Sequence, residues 1–473
     1  MKKEDGQGKN SSREKRGGVF SRVRDTLAID AAKAVAAGSR LAGNQGSSIT
    51  GKAAMKLSPS VLADLAGQVR KTTFAVCGTN GKTTTNNLLC TMLESTGAKV
   101  ICNRLGANML PGVTAAYVQA CGAGGRLDAD HACLEVDEAS AHLVFQHVRP
   151  DYLILTNLFR DQLDRYGEID ITIDLLKQAI SLVPDMKLIV NADDPLSVYL
   201  ANETGNSVIF YGIPKQIGTH AGEGESHEIR ESGFCKVCGA PLEYAFYHYS
   251  QMGMYHCTAC SFGRPAAKYE AENILLADGI SFDLEGHRIQ SQLAGEYSIY
   301  NLLGVWSALR ESGEDLTADS FNEVLLHYRP QFGRNEHFHI DGHEIILNLA
   351  KNPAGFNQNI VAMLEDRDPK RLVIVINDND QDGTDVSWLW DVDFDRVQEE
   401  TIRSVTVSGI RALDMGLRLK YVGIEAGIAA TPEKVIEEQL AAGPEKLYVL
   451  VNYTALFSIQ VIIKIKTEKI STI

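Results

Sequence analysis

The chain has 473 residues, 44% of them apolar and 22% charged, and a formal net charge of −14. That length holds two or three domains with real cores, and the acidic balance argues against wholesale nucleic-acid binding. No apolar run approaches the ~18 residues of a membrane-spanning helix.

The first 24 residues hold eight Lys or Arg among Gly, Ser and Asn, without the apolar segment of a secretion signal. Residues 1–25 therefore read as a disordered basic tail. Residues 26–43 (TLAIDAAKAVAAGSRLAG) follow with the period of a short amphipathic helix. From residue 72 onward, apolar runs alternate with helix-like segments: TTFAVCG, AKVICN (98–103), ACLEV (132–136), YLILTN (152–157), KLIVNA (187–192) and SVIFYG (207–212). The runs are apolar throughout, as parallel strands buried on both faces are. The alternation predicts an α/β, doubly wound, mostly parallel sheet with ligands at the strands' carboxyl ends. Those ends are polar: Gly78, Asn103, Asp137, Asn157 and Asp193.

Between the first strand and its helix stands CGTNGKTTT (77–85). It is one glycine short of the usual Gly-x4-Gly-Lys-Ser/Thr phosphate loop, because Val76 occupies the earlier glycine's place. A glycine-rich turn entering a helix exposes N–H groups to phosphate, and the helix dipole adds positive potential. Gly78, Thr79, Asn80, Gly81, Lys82, Thr83 and Thr84 are the candidate ATP loop. In it Lys82 neutralises phosphate charge and the Thr83 hydroxyl sits on Mg2+.

Residues 214–267 break the strand–helix rhythm and read as an insertion. It contains Cys235-x2-Cys238 and Cys257-x2-Cys260 separated by eighteen residues, the spacing of a zinc ribbon. Four thiolates close a tetrahedron around Zn2+ and leave no position for water, so the expected role is structural. His256, beside Cys257, is a substitute ligand that four cysteines make unnecessary. The other cysteines (77, 90, 102, 121 and 133) stand singly in apolar surroundings, which suits a reducing cytoplasm.

A strand-like stretch and a helix starting near Ser298 close a first domain, 26–335. A smaller α/β domain over 336–473 reads HEIILNLA, a helix over 357–366, RLVIVIN, SVTVSG and LYVLVNY. After RLVIVIN comes the aspartate-rich loop DNDQDGTDVSWLWDVDFD (378–395), whose Trp388 and Trp390 are of the type that anchors protein interfaces.

The spelling Gly-Thr-Asn-Gly-Lys-Thr-Thr (78–84) resembles the phosphate loop of the Mur ligases and folylpolyglutamate synthetases. LEVDEAS (134–140), TNLFRDQLDRYGE (156–168), NADDP (191–195), GEYSIYNLLGVWSAL (295–309) and FGRNE (332–336) resemble further stations of that superfamily in the same order. The resemblance implies a Mur-ligase-like central domain in which Glu135 holds Mg2+, with Glu138 as competitor, while Asn301 and Arg334 contact ATP. It also implies the reaction: ATP phosphorylates a carboxylate and an amine displaces the phosphate, chemistry that needs alignment and charge neutralisation. The chain departs from the pattern at three places. Gln162 stands where the superfamily has a metal-binding histidine, and Asn348-Leu-Ala-Lys-Asn-Pro353 replaces Asp-Tyr-Ala-His-Asn-Pro. Lys177 lies one position from the place of a carbamylated lysine. Ordinary Mur ligases also carry an N-terminal domain that grips a uridine nucleotide. Only about fifty structured residues precede the phosphate loop here, too few for a UDP-binding domain.

That absence, the zinc-ribbon insertion and LAKNPAGFNQ (349–358) resemble the MurT branch, the synthetase subunits of lipid II isoglutaminyl synthases. The branch implies amidation of the α-carboxylate of D-glutamate in lipid II, at the cytoplasmic face of the membrane. Ammonia would come from a GatD-type glutaminase in a heterodimer, with no role for nucleic acid. It further implies that an aspartate, here Asp385 in DGTDVSW, completes the partner's Cys-His pair by orienting the histidine. Two alternatives stand beside this reading. One is a Mur-type or folylpolyglutamate-type amino-acid ligase complete in one chain; the other is a non-catalytic nucleotide-binding scaffold with a zinc-ribbon interaction module.

Overall fold

The computed structural model describes residues 19–41, 47–104, 107–161, 169–217, 231–276, 279–329, 333–340 and 342–470. Most of the expected basic tail, and Gln162, lie outside them. The first described element is the helix Val19–Leu41, which begins before the position expected from its apolar period. With the helices Ser47–Leu57 and Val61–Ala66 it packs on the helix Leu110–Ala120. The approach is close because residue 51 is glycine: a Cβ there would meet the Pro111 carbonyl oxygen at 1.8 Å.

The six apolar runs form β1 (Thr72–Cys77), β2 (Val100–Cys102), β3 (His131–Glu135), β4 (Tyr152–Leu155), β5 (Lys187–Asn191) and β6 (Val208–Gly212). The cysteine-rich insertion supplies the antiparallel hairpin β7 (Leu242–Tyr249) and β8 (Met252–Cys257), and β9 (Tyr269–Glu270) returns to the main sheet. That sheet is seven-stranded and parallel, in the order β2-β3-β1-β4-β5-β6-β9. Strand order reverses beside β1, so the phosphate loop leaves the sheet at its topological switch point, where such sheets bind ligands. Three antiparallel strands, β10 (Glu272–Leu276), β11 (Ile280–Leu284) and β12 (His287–Ser291), precede the helix Glu296–Ser312, which packs on β4, β5 and β6.

Two aspartates of NADDP hold the insertion to this core. Asp193, fully buried after β5, accepts from Arg264 Nε (2.7 Å), the Tyr300 hydroxyl (2.8 Å) and the Ile213 N–H (2.8 Å). Asp194 caps the helix Pro195–Asn202 and also accepts from the Leu158 N–H and Gln251 Nε2, both at 2.8 Å. Such a carboxylate survives burial because its oxygens are paired.

The second domain is a six-stranded sheet of β13 (Glu336–Ile340), β14 (His343–Leu349), β15 (Lys370–Val375), β16 (Ile402–Ser408), β17 (Gly427–Ile428) and β18 (Lys446–Val451). Its order is β13-β14-β18-β15-β16-β17, parallel except for the edge pair β13/β14. The four apolar runs expected there are β14, β15, β16 and β18, and the expected helix is Pro353–Glu365. β13 and β17 lie at the two edges, where one flank faces solvent and the sequence carries no continuous apolar run. Among the described residues, no helix is long and apolar enough to cross a membrane.

Candidate active site between two domains

Two glycines shape the loop after β1. Gly78 has φ +125°, and a Cβ on it would meet Thr156 Oγ1 at 2.2 Å; Gly81 has φ +85° and faces Asn301 Oδ1 at 2.3 Å. Both conformations belong to glycine, and the missing glycine at 76 costs nothing because Val76 is inside β1. The loop is laced to the end of β4. Asn80 N–H donates to Asn157 Oδ1 (2.8 Å), the Thr156 hydroxyl to the Asn80 carbonyl (2.7 Å), and the Phe159 N–H to Thr79 Oγ1 (2.9 Å). Lys82 then opens the helix Lys82–Ser95, whose amino end points at the cleft.

Lys82 and Glu138 form a buried ion pair. Lys82 Nζ donates to Glu138 Oε1 at 2.8 Å and to the Thr79 carbonyl at 3.2 Å, and the Gly78 N–H donates to the same Glu138 oxygen at 2.8 Å. Both side chains are 7% exposed. Burial pushes the Glu138 carboxyl above the usual carboxylate range, against the pull of Lys82. Burial lowers the Lys82 ammonium, but Glu138, then Asp137 and Glu135, raise it above the ordinary lysine value. Two donors converge on one Glu138 oxygen, so we take the pair as charged.

Of the two candidate carboxylates, Glu138 touches Lys82, whereas Glu135 accepts from Asn108 Nδ2 at 3.0 Å and keeps a buried Oε2 without a hydrogen-bond partner among the described residues. Glu135 also acts on Tyr453 of the second domain, whose hydroxyl is raised first by burial and then by this carboxylate. Thr84 lines the adjoining cleft, while Arg334 Nη2 donates to Thr83 Oγ1 at 3.2 Å and Thr85 Oγ1 to Asn301 Oδ1 at 3.2 Å. Among the described residues, Asn301 Nδ2 and Arg334 Nε are buried donors without partners. Both line an interdomain cleft with Asn80, Gly81, Thr84 and Tyr297. Its few convergent polar groups, set beside a phosphate-loop backbone, suit a nucleotide.

The two domains meet through amides and ions. Asn352 caps the helix Pro353–Glu365 and exchanges bonds with Asn80 across the cleft, Asn352 Nδ2 reaching Asn80 Oδ1 at 3.1 Å. Lys351 pairs with Asp161, and Arg160 with Asp391. Asp385 lies in the same junction, in a small cavity shared with Arg160, Lys351 and Trp388. The Ser387 N–H, at 2.8 Å from Asp385 Oδ1, holds its carboxyl below the ordinary aspartate value. Trp388 packs on Phe356, whereas Trp390 is half-exposed and meets Tyr421 edge-on at 5.0 Å. Tyr421 continues an exposed apolar stripe of Ile410, Leu413 and Leu417 along the helix Ala412–Tyr421. Nothing in the separate segments flagged this stripe; only the helix's exposure reveals it. Lys177 is elsewhere, paired with Glu203 at 3.1 Å.

The four cysteines converge. All their Sγ atoms lie within 4.8 Å of one another, with 3.7 Å between Cys235 and Cys260 and 3.4 Å between Cys238 and Cys257. Zn–S bonds of ~2.3 Å in a tetrahedron put sulfurs ~3.8 Å apart, so the cluster fits that ion. His256 lies outside it, exposed and 3.5 Å from Glu243.

The Mur ligase middle domain matches residues 76–259, and the MurT ligase C-terminal domain matches residues 349–456. The chain is 36% identical over 406 residues to lipid II isoglutaminyl synthase (glutamine-hydrolyzing) subunit MurT of Staphylococcus aureus strain N315, covering 86% of this chain and 90% of that one. The chain belongs to the MurT family. The Streptococcus pneumoniae R6 subunit of the same name is 32% identical over 419 residues, 87% of this chain and 91% of the relative. Among solved structures, the pseudomurein peptide ligase type C of Methanothermus fervidus matches with a TM-score of 0.64 at 20% identity, covering 88% of this chain and 84% of that one. MurF of Thermotoga maritima in complex with ADP matches with a TM-score of 0.58 at 15% identity, covering 89% and 84%. These two share the fold. The MurT family and its Mur ligase domain make the chain an ATP-dependent ligase.

Proposed function

We infer that the chain is the synthetase subunit that amidates the α-carboxylate of D-glutamate in lipid II to D-isoglutamine, with ATP and with ammonia from a GatD-type glutaminase partner at the inner membrane face. The observation that carries this reading is the Lys82–Glu138 pair at a helix amino end, facing the interdomain cleft, in a chain of the MurT family.

In this reading the loop N–H groups and Lys82 take the ATP phosphates, Lys82 exchanging its loop carbonyls for phosphate oxygens. The unpartnered donors of Asn301 and Arg334 orient the nucleotide. The substrate carboxylate attacks the terminal phosphorus and ADP leaves. Ammonia then adds to the acyl carbon, phosphate departs with the bonding pair, and nitrogen loses a proton. Thr83 and Glu135, whose Oε2 has no hydrogen-bond partner, are the residues that would hold Mg2+, with Glu138 positioning Lys82. Magnesium, when bound, supplies neutralisation of phosphate charge. Zn2+ on the cysteine quartet would hold the insertion in shape. Burial pushes the Cys77 and Cys133 thiols up, and that of Cys121 to about 11, so these are not nucleophiles for glutamine hydrolysis. The MurT relatives are named as subunits, which supports a partner that supplies nitrogen from glutamine, and the exposed Leu413 stripe and Trp390 offer that partner an anchor.

The test is lipid II amidation with ATP, using the chain paired with a candidate glutaminase and glutamine, and the chain alone with ammonium. Amide is expected in both, neither surviving Lys82→Ala, with Asp385→Asn removing only the glutamine-dependent product. Consumption of a free amino acid without amide formation would overturn the reading.

A further inference from the structure

The positive charge of this acidic chain is gathered at one end. Residues 1–57 hold twelve Lys or Arg against five Asp or Glu, a net +7, so the other residues together carry −21. The helices Val19–Leu41 and Ser47–Leu57 lie in this segment, packed over Leu110–Ala120, and both turn apolar side chains to solvent. On the first, Arg24, Leu27, Ala31, Ala34 and Val35 are exposed and fall within ~100° of the helix circumference, with Leu27 65% exposed. Asp30 stands at the rim of that arc, and Asp25 is buried, accepting from the Ser58 hydroxyl. On the second, Ile49, Lys52 and Lys56 share one exposed face at i, i+3 and i+7, with Leu57 beside them.

The neighbouring segments offer nothing aliphatic to lay on these faces: residues 1–18 have no apolar side chain beyond Met1, and 42–46 read AGNQG. A second copy of the chain would set +7 against +7. The combination fits an anionic bilayer, on which a helix lies with its aliphatic side chains at the acyl boundary and its Lys and Arg among the headgroup phosphates. We propose that this two-helix layer docks the chain on a lipid bilayer that carries acidic headgroups. The choice of a bilayer among anionic partners rests on the amidation reading, in which the substrate is lipid-linked. The position agrees with it. Gly51 of the second helix meets Pro111, three residues beyond Asn108, whose amide donates to Glu135. One helix therefore separates the docking layer from the carboxylate that would hold Mg2+.

The experiment is sedimentation of the full chain with vesicles of phosphatidylcholine alone and of phosphatidylcholine mixed with phosphatidylglycerol, without nucleotide, lipid II or partner. Partition onto the anionic vesicles is expected to be at least about tenfold stronger, and to fall as salt rises. Lys52→Glu together with Lys56→Glu should weaken it at least about tenfold. Leu27→Glu should weaken it at least about threefold at unchanged Tm, because that side chain is exposed. Leu275→Glu, exposed on β10, should leave it unchanged. Equal partition onto both kinds of vesicle, or none, would overturn the proposal. So would anionic binding that neither helix variant weakens, which would assign the attachment to residues 1–18 alone. The assay contains no substrate, so the docking layer can fail while detergent-dispersed lipid II is still amidated, and the reverse; the two failures are distinguishable.

Discussion

Lys82→Met tests the site through stability and chemistry at once. Lys82 Nζ and Glu138 Oε1 are 2.8 Å apart and both side chains are 7% exposed. At an effective dielectric of about 20, Coulomb's law gives a gross attraction of about 6 kcal/mol at that distance, much of it offset by desolvation. Lys82→Met leaves Glu138 buried with backbone N–H donors but no countercharge, a loss of about 3 kcal/mol. Glu138→Gln should cost less, about 1–2 kcal/mol, because Lys82 retains the Thr79 carbonyl. The double variant should then reveal a coupling of about 2 kcal/mol. Trp306 is buried in the first domain, so its fluorescence in a Trp388→Phe, Trp390→Phe background reports that domain's urea unfolding. Strictly additive costs, with coupling below about 0.5 kcal/mol, would refute the energetic argument. ATP turnover by Lys82→Met within about threefold of the parent would refute its phosphate role.

Other outcomes follow from separate parts of the molecule. One tightly held zinc per chain is expected by metal analysis, and Cys257→Ser should abolish it and lower the Tm, as the insertion loses its closing ligand. Leu413→Glu, at a residue 73% exposed, should leave the Tm unchanged while weakening association with a glutaminase partner at least about tenfold in sedimentation; unchanged association would remove the stripe from the interface. His131 and His248 are buried, and burial lowers both imidazole pKa values in the folded chain. The unfolded chain therefore binds the additional protons first, so their contribution is complete above about pH 6.5 and is lost as pH falls below it. Urea midpoints from pH 8 to 5 should show this fall, reduced in His131→Asn.

The sequence determined what lies in contiguous residues. Six strands were legible as apolar runs, and the central four, β1, β3, β4 and β5, are buried almost throughout. The phosphate loop was legible because glycine backbone geometry and a helix amino end are local matters, and the cysteine quartet because knuckle spacing is too. Edge strands β13 and β17 were not, since an edge needs only half the apolar surface. Tertiary structure alone decided which carboxylate faces Lys82. Glu135 ends a strand and Glu138 lies in the following turn, and the choice depends on how that turn approaches Gly78. It also decided that Asp385 lies beside Arg160. The physical reason is common to these cases. Periodicity and turn chemistry act over a few residues, whereas charge pairing, burial and cavity shape arise only when segments distant in the chain are brought within hydrogen-bonding reach.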